Sequence, residues 1–111
     1  MLKFAFVSDA AEREYRALPE WVQDEFGKSL RQIQFGELPS LATTHLSDSV
    51  AAGVIELKIN GRPAFRCVYI TKYLKTVVVL HSFVKTTNGV DQQALRTAAS
   101  RYQDLMRAIK H

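Results

Sequence analysis

The dipeptide Asn60-Gly61 constrains this chain more than any other feature. It stands between two apolar-rich runs, VIELKI and AFRCVYI. A type I′ turn needs φ > 0 at both central positions, which Asn and Gly tolerate better than other residues. The pair therefore predicts an antiparallel hairpin, with strands over 54–60 and 64–71. A further strand is expected over 75–85 within LKTVVVLHSFVK, reached through the short TKYLK turn, which completes a meander. LKFAFV at 2–7 alternates well enough to pair alongside as a first strand. The expected sheet has four strands.

Helices account for the rest. Ser8 is placed to cap DAAEREYRAL, whose early acidic residues suit the helix dipole, so 9–17 is expected to be helical. Pro19 is read as the first residue of a second helix over 19–35. In it Trp21, Val22, Phe26, Leu30 and Ile33 share one face, and Gly36 closes the end. The punctuated stretch 37–53 reads as a loop leading into a strand. After Asn88-Gly89, Asp91 opens a last helix over 91–110, with Leu95, Ala98, Tyr102, Leu105 and Ile109 recurring at threes and fours. The order is β-α-α-β-β-β-α, an α+β fold with helices covering one face of the sheet.

A chain of 111 residues suits one compact domain spanning 1–111. Its single cysteine, Cys67, excludes an internal disulfide and a cysteine-rich metal site. The N-terminus lacks a signal-peptide apolar region, and VVVL is far too short to span a bilayer, so a cytoplasmic protein with no membrane partner is expected. Charge is uneven. Residues 1–57 hold five Lys/Arg against nine Asp/Glu, whereas 58–111 hold ten against only Asp91 and Asp104. A basic surface on the second half points to nucleic acid or an acidic partner. Three scattered histidines make no metal-site pattern, and no Gly-rich phosphate loop, Walker pattern or nucleophile elbow is present. Neither a metal nor a cofactor is expected.

Several short motifs fall in order: Gly53, Glu56-Leu57-Lys58, Phe65-Arg66-Cys67-Val68-Tyr69, Leu80-His81, Phe83, Lys85, Thr87, Leu95, Ala98 and Arg101. In this register the stretch 53–102 resembles the RelE/ParE toxin superfamily, nearest its HigB-like, phage-derived branch. Three positions depart from that pattern. Lys58 stands for an arginine and loses its bidentate fork, Thr86 replaces a second lysine, and Gly89 replaces a basic turn residue.

The resemblance implies a RelE-like fold and the toxin of a type II toxin–antitoxin module. RelE and HigB members cleave messenger RNA on the ribosome, and ParE members inhibit gyrase by binding it. A catalytically silent relative that only complexes its antitoxin is a third possibility. The expected partners are a helix-turn-helix antitoxin and translated messenger RNA. Metal-free RNA cleavage needs in-line orientation of the 2′-OH, neutralisation of phosphoryl charge, and proton transfer. Arg66 matches the superfamily's strand arginine and either holds phosphate or pairs with Glu56. Lys85, near Arg66 at the end of its strand, and Lys58, on the face of Glu56, are the other candidate phosphate ligands. Glu56 is read as orienting Lys58 and Arg66, with a role as base the alternative. His81, the one histidine on an expected strand, is either an acid–base group or a packed core residue. His45 and His111 are assigned no role, and the general acid is unidentified.

Overall fold

The computed structural model describes residues 1–110; His111 lies outside them. The elements are β1 (Lys3–Phe6), α1 (Asp9–Arg16), α2 (Glu20–Gln34), β2 (Ala42–His45), β3 (Val54–Ile59), β4 (Ala64–Ile70), β5 (Thr76–Lys85) and α3 (Gln92–Ile109). They build an α+β fold around a five-stranded sheet of order β1-β5-β4-β3-β2, in which only β1 with β5 is parallel. Ser8 caps α1 by accepting from the Ala11 amide, and Asp91 caps α3 by accepting from Ala94. Both satisfy donors that the first helical turn leaves open.

Helices cover both faces of the sheet, where a single covered face was expected. Val22, Phe26 and Leu30 of α2 pack on Leu57, Phe65, Cys67, Val77 and Val79. Ala98 and Leu105 of α3 pack on the other face, against Val54, Val68, Ile70, Val78 and Leu80. The reason is visible in β4 and β5. All of β4 is buried, as is β5 from Thr76 to Ser82, and a strand buried on both sides reads as a continuous apolar run such as VVVL. Trp21, expected on the buried stripe of α2, stays 56% exposed and meets Phe65 edge-on.

Two local expectations are also corrected. The stretch 37–53 contains a fifth strand, β2, which adds to the outer edge of β3 with Thr44 opposite Glu56. Its sequence, ATTH, is polar and largely exposed, so edge pairing makes it a strand and no apolar alternation announces it. The β3–β4 hairpin is present, but its loop is longer than a two-residue turn. Gly61 alone of the Asn-Gly pair has positive φ, and pairing closes at Ile59–Phe65. Pro63, which has no N–H for the ladder, belongs to the loop. Pro19 likewise precedes the first residue of α2 as its N-cap.

Candidate functional site

The site begins with strand parity. Leu57 points into the α2 side, so its neighbours Glu56 and Lys58 on β3 point to the α3 side. Across the ladder Lys58 pairs with Arg66. Arg66 pairs in turn with Phe83, and Ala64 with Lys85. Ordinary alternation along β5 would not put Lys85 there. Val77 and Val79 face α2 while Val78 and Leu80 face α3, which would turn His81, Phe83 and Lys85 toward α2.

A β-bulge corrects the direction. Tyr69 pairs with Val79 and Val68 with His81, so Leu80 is an extra residue without a partner on β4. One inserted residue reverses the parity beyond it. His81, Phe83 and Lys85 therefore share a face with Val68, Arg66 and Ala64. The bulge is clasped from α3, where Arg101 Nη1 donates to the Leu80 carbonyl at 2.9 Å. The same guanidinium makes two hydrogen bonds to Glu14 of α1, at 3.0 and 2.7 Å, and Glu14 Oε1 lies 2.8 Å from His81 Nδ1. Burial alone would raise the Glu14 carboxyl, but hydrogen bonds from Arg101 and His81 hold it below its ordinary value. Glu14 in turn raises the Arg101 pKa.

Past the bulge two adjoining cavities open, sharing Arg66, Lys85 and Gly89. One, about 550 Å³, lies between the 60–63 loop, with Arg62, and the 86–89 loop. The other, about 400 Å³, is floored by Glu56, Lys58, Arg66 and Phe83 and walled by Asp91 and Leu95. Arg66 is 7% exposed. Its Nη1 donates to the Phe65 and Ile59 carbonyls, and its Nε stands 3.6 Å from Glu56 Oε1. That separation is too long for a good hydrogen bond. Nη2 donates to no protein atom among the described residues, and no buried side-chain nitrogen or oxygen there is without a partner. Nη2 thus keeps its access to the cavities. Burial raises the Glu56 carboxyl, and the opposing pull of Arg66, Lys58 and Lys85 does not cancel it. The 3.6 Å ion pair argues for an ionised Glu56 and burial argues against. The net direction is upward because the contact is loose and Arg66 already spends Nη1 on carbonyls.

Four of the five candidate residues, Arg66, Lys85, Lys58 and Glu56, come together at these cavities. His81 does not line them. It is held by Glu14 and its ring stacks on Phe83 at 5.0 Å. His45 lies on β2 opposite Ile55, so it is a second strand histidine, and it borders the smaller cavity although it was assigned no role. Cys67 is fully buried, which pushes its thiol up to about 12. Residues given no role from the sequence are Arg62, Phe83 and the Glu14–Arg101 clasp, although Phe83 and Arg101 stand in the motif register. Phe83 is two residues before Lys85 on one strand and so shares its face, a signal readable once Lys85 is chosen. Among the described residues no three His, Cys or carboxylate side chains converge as a metal site requires, and no helix is long and apolar enough to cross a membrane.

Compared with known families, residues 13–103 match the model of a phage-derived, Gp49-like protein family. No curated protein matches the chain.

Proposed function

The chain belongs to the phage-derived Gp49-like family, a RelE-like family of toxin–antitoxin systems, and from that premise we propose that it cleaves translated messenger RNA. The observation that carries this reading is the convergence of Arg66, Lys85 and Lys58 on one carboxylate, Glu56, at the floor of an open cavity. In such a cleavage the 2′-oxygen attacks the adjacent phosphorus, its proton leaves to a base, and the bond to the 5′-oxygen breaks as that oxygen gains a proton. The products are a 2′,3′-cyclic phosphate and a 5′-hydroxyl. Arg66 and Lys85 neutralise charge on the phosphoryl oxygens, with Lys58 on the flank. Glu56, a carboxylate beside these cations whose carboxyl is raised by burial, is the group placed to take the 2′-proton. The ribosome supplies the in-line alignment of the message. The cognate partner is a helix-turn-helix antitoxin that covers the cationic face, as in the HigB-like branch, and the working compartment is the cytoplasm, where translation occurs.

The test is inducible expression followed by mapping of new 5′ ends on cellular messages. Cuts within translated regions, lost in Arg66→Ala and Glu56→Gln and relieved by the antitoxin, are expected. Growth arrest with intact messages and inhibited gyrase would overturn this reading in favour of a ParE-like inhibitor. A stable antitoxin complex with neither effect would mark a silent regulatory relative.

A further inference from the structure

We propose that Phe83 is the stacking platform for one nucleobase of single-stranded RNA, beside the phosphate held by Arg66 and Lys85; this rests on the nucleic-acid reading of the same site. Phe83 is directly opposite Arg66 in the β4–β5 ladder. Opposed side chains of an antiparallel pair start about 5 Å apart at Cβ, so the ring and the guanidinium are immediate neighbours. Base and phosphate of one nucleotide are spaced to meet such a pair.

The ring is rigidly presented. It is half-buried, and one face is taken by the His81 ring, at 5.0 Å between centroids and 20° between planes. His81 is itself fixed by Glu14. Phe83 also lines the 400 Å³ cavity, and the base is placed on the ring face that His81 does not take. Leu95 and Val90 line the same cavity, and Val90 is 65% exposed although apolar. With Leu46, four apolar side chains stand beside the cations, which suits a ligand with an apolar ring as well as a phosphate. The volume falls in the range of about 300–1,000 Å³ typical of small-ligand pockets. That size suits one unstacked nucleotide, so a single strand is the ligand class. Stacking tolerates every base because each has a π-face, so Phe83 contributes affinity and not sequence choice.

The experiment compares a fluorescein-labelled single-stranded RNA hexanucleotide with its abasic sugar–phosphate counterpart, by fluorescence anisotropy on the full chain at low salt. Each stacked base is worth about five-fold or more in affinity. The wild type should prefer the intact strand by at least that factor. Phe83→Tyr should keep the preference. Phe83→Leu, which fills the same apolar space without a π-face, should reduce it to about two-fold or less. A full preference in Phe83→Leu, or none in the wild type, overturns the proposal while the phosphate site stands. Absence of binding to either strand overturns both. A Phe83-dependent preference without message cleavage in cells leaves the platform standing and removes the nuclease reading.

Discussion

Glu14 and Glu56 each sit among basic side chains on the α3 side of the sheet, and they meet those partners in opposite ways. Glu14 is closed in: Arg101 and His81 reach it at 2.7 to 3.0 Å, and its carboxyl lies below its ordinary value despite burial. Glu56 is open: its nearest guanidinium nitrogen is at 3.6 Å, and burial raises its carboxyl despite three cations. Lys58 and Lys85 form no ion pair among the described residues. A closed network spends its carboxylate on its own partners and holds chain segments together. An open one keeps donors and charge that a phosphate can claim. The two are coupled through the bulge, since the closed cluster grips the Leu80 carbonyl and the bulge turns Lys85 toward the open one.

This contrast is most sharply tested by removing one cation from each cluster. Arg66→Ala should lower message cleavage in a translating extract by roughly ten- to over a hundredfold. Loss of a charge-assisted contact costs about 1.5–3 kcal/mol, and about 1.4 kcal/mol is tenfold in rate. Arg101→Met should act first on folding, lowering stability in urea by about 2–3 kcal/mol, below the roughly 3–5 kcal/mol of a fully buried pair. The discount follows from Glu14, which is 29% exposed. A stable Arg101→Met protein would break the comparison.

Acid should separate the clusters more gently. The Glu14 carboxyl is lower in the folded chain than its ordinary value of 4.5. Its stabilising contribution is therefore complete above that value and is lost as pH falls through the lower folded one. Glu14→Gln should cost about 1.5 kcal/mol at neutral pH, and urea curves of the two proteins should converge as pH falls below 4.5. A difference that stays constant with pH would show that the substitution destabilises for reasons other than charge. The smallest effect is expected from Thr86→Lys. Thr86 lines the larger cavity beside Lys85, and a cation there should preserve cleavage or raise it a few-fold, as befits one partly screened charge.

Much of this arrangement is legible in the chain. Asn60-Gly61, the caps Ser8 and Asp91, and the apolar runs of β4 and β5 all act through neighbours in sequence. So the meander and helix starts follow from local rules. Glu56 and Lys58 share a face by simple alternation. The less legible parts depend on distant partners. The β2 strand is polar and exists by pairing with β3. The bulge at Leu80 leaves no mark in VVVLHSF, although it decides which way Lys85 faces. Glu14 and Arg101 are 87 residues apart, and nothing near either one announces the other. His81, tempting as a catalytic histidine, belongs to that clasp for the same reason.

Lys85→Ala bears most directly on whether the open cluster is the working site, because Lys85 lines both cavities and, among the described residues, forms no ion pair that its loss would break. Message cleavage in a translating extract is measured for this variant and the wild type at matched folded fraction. The expected result is a fall of roughly tenfold or more with an unchanged melting temperature. Undiminished cleavage in the folded variant would contradict it, and would mean that the turned end of β5 holds no phosphate.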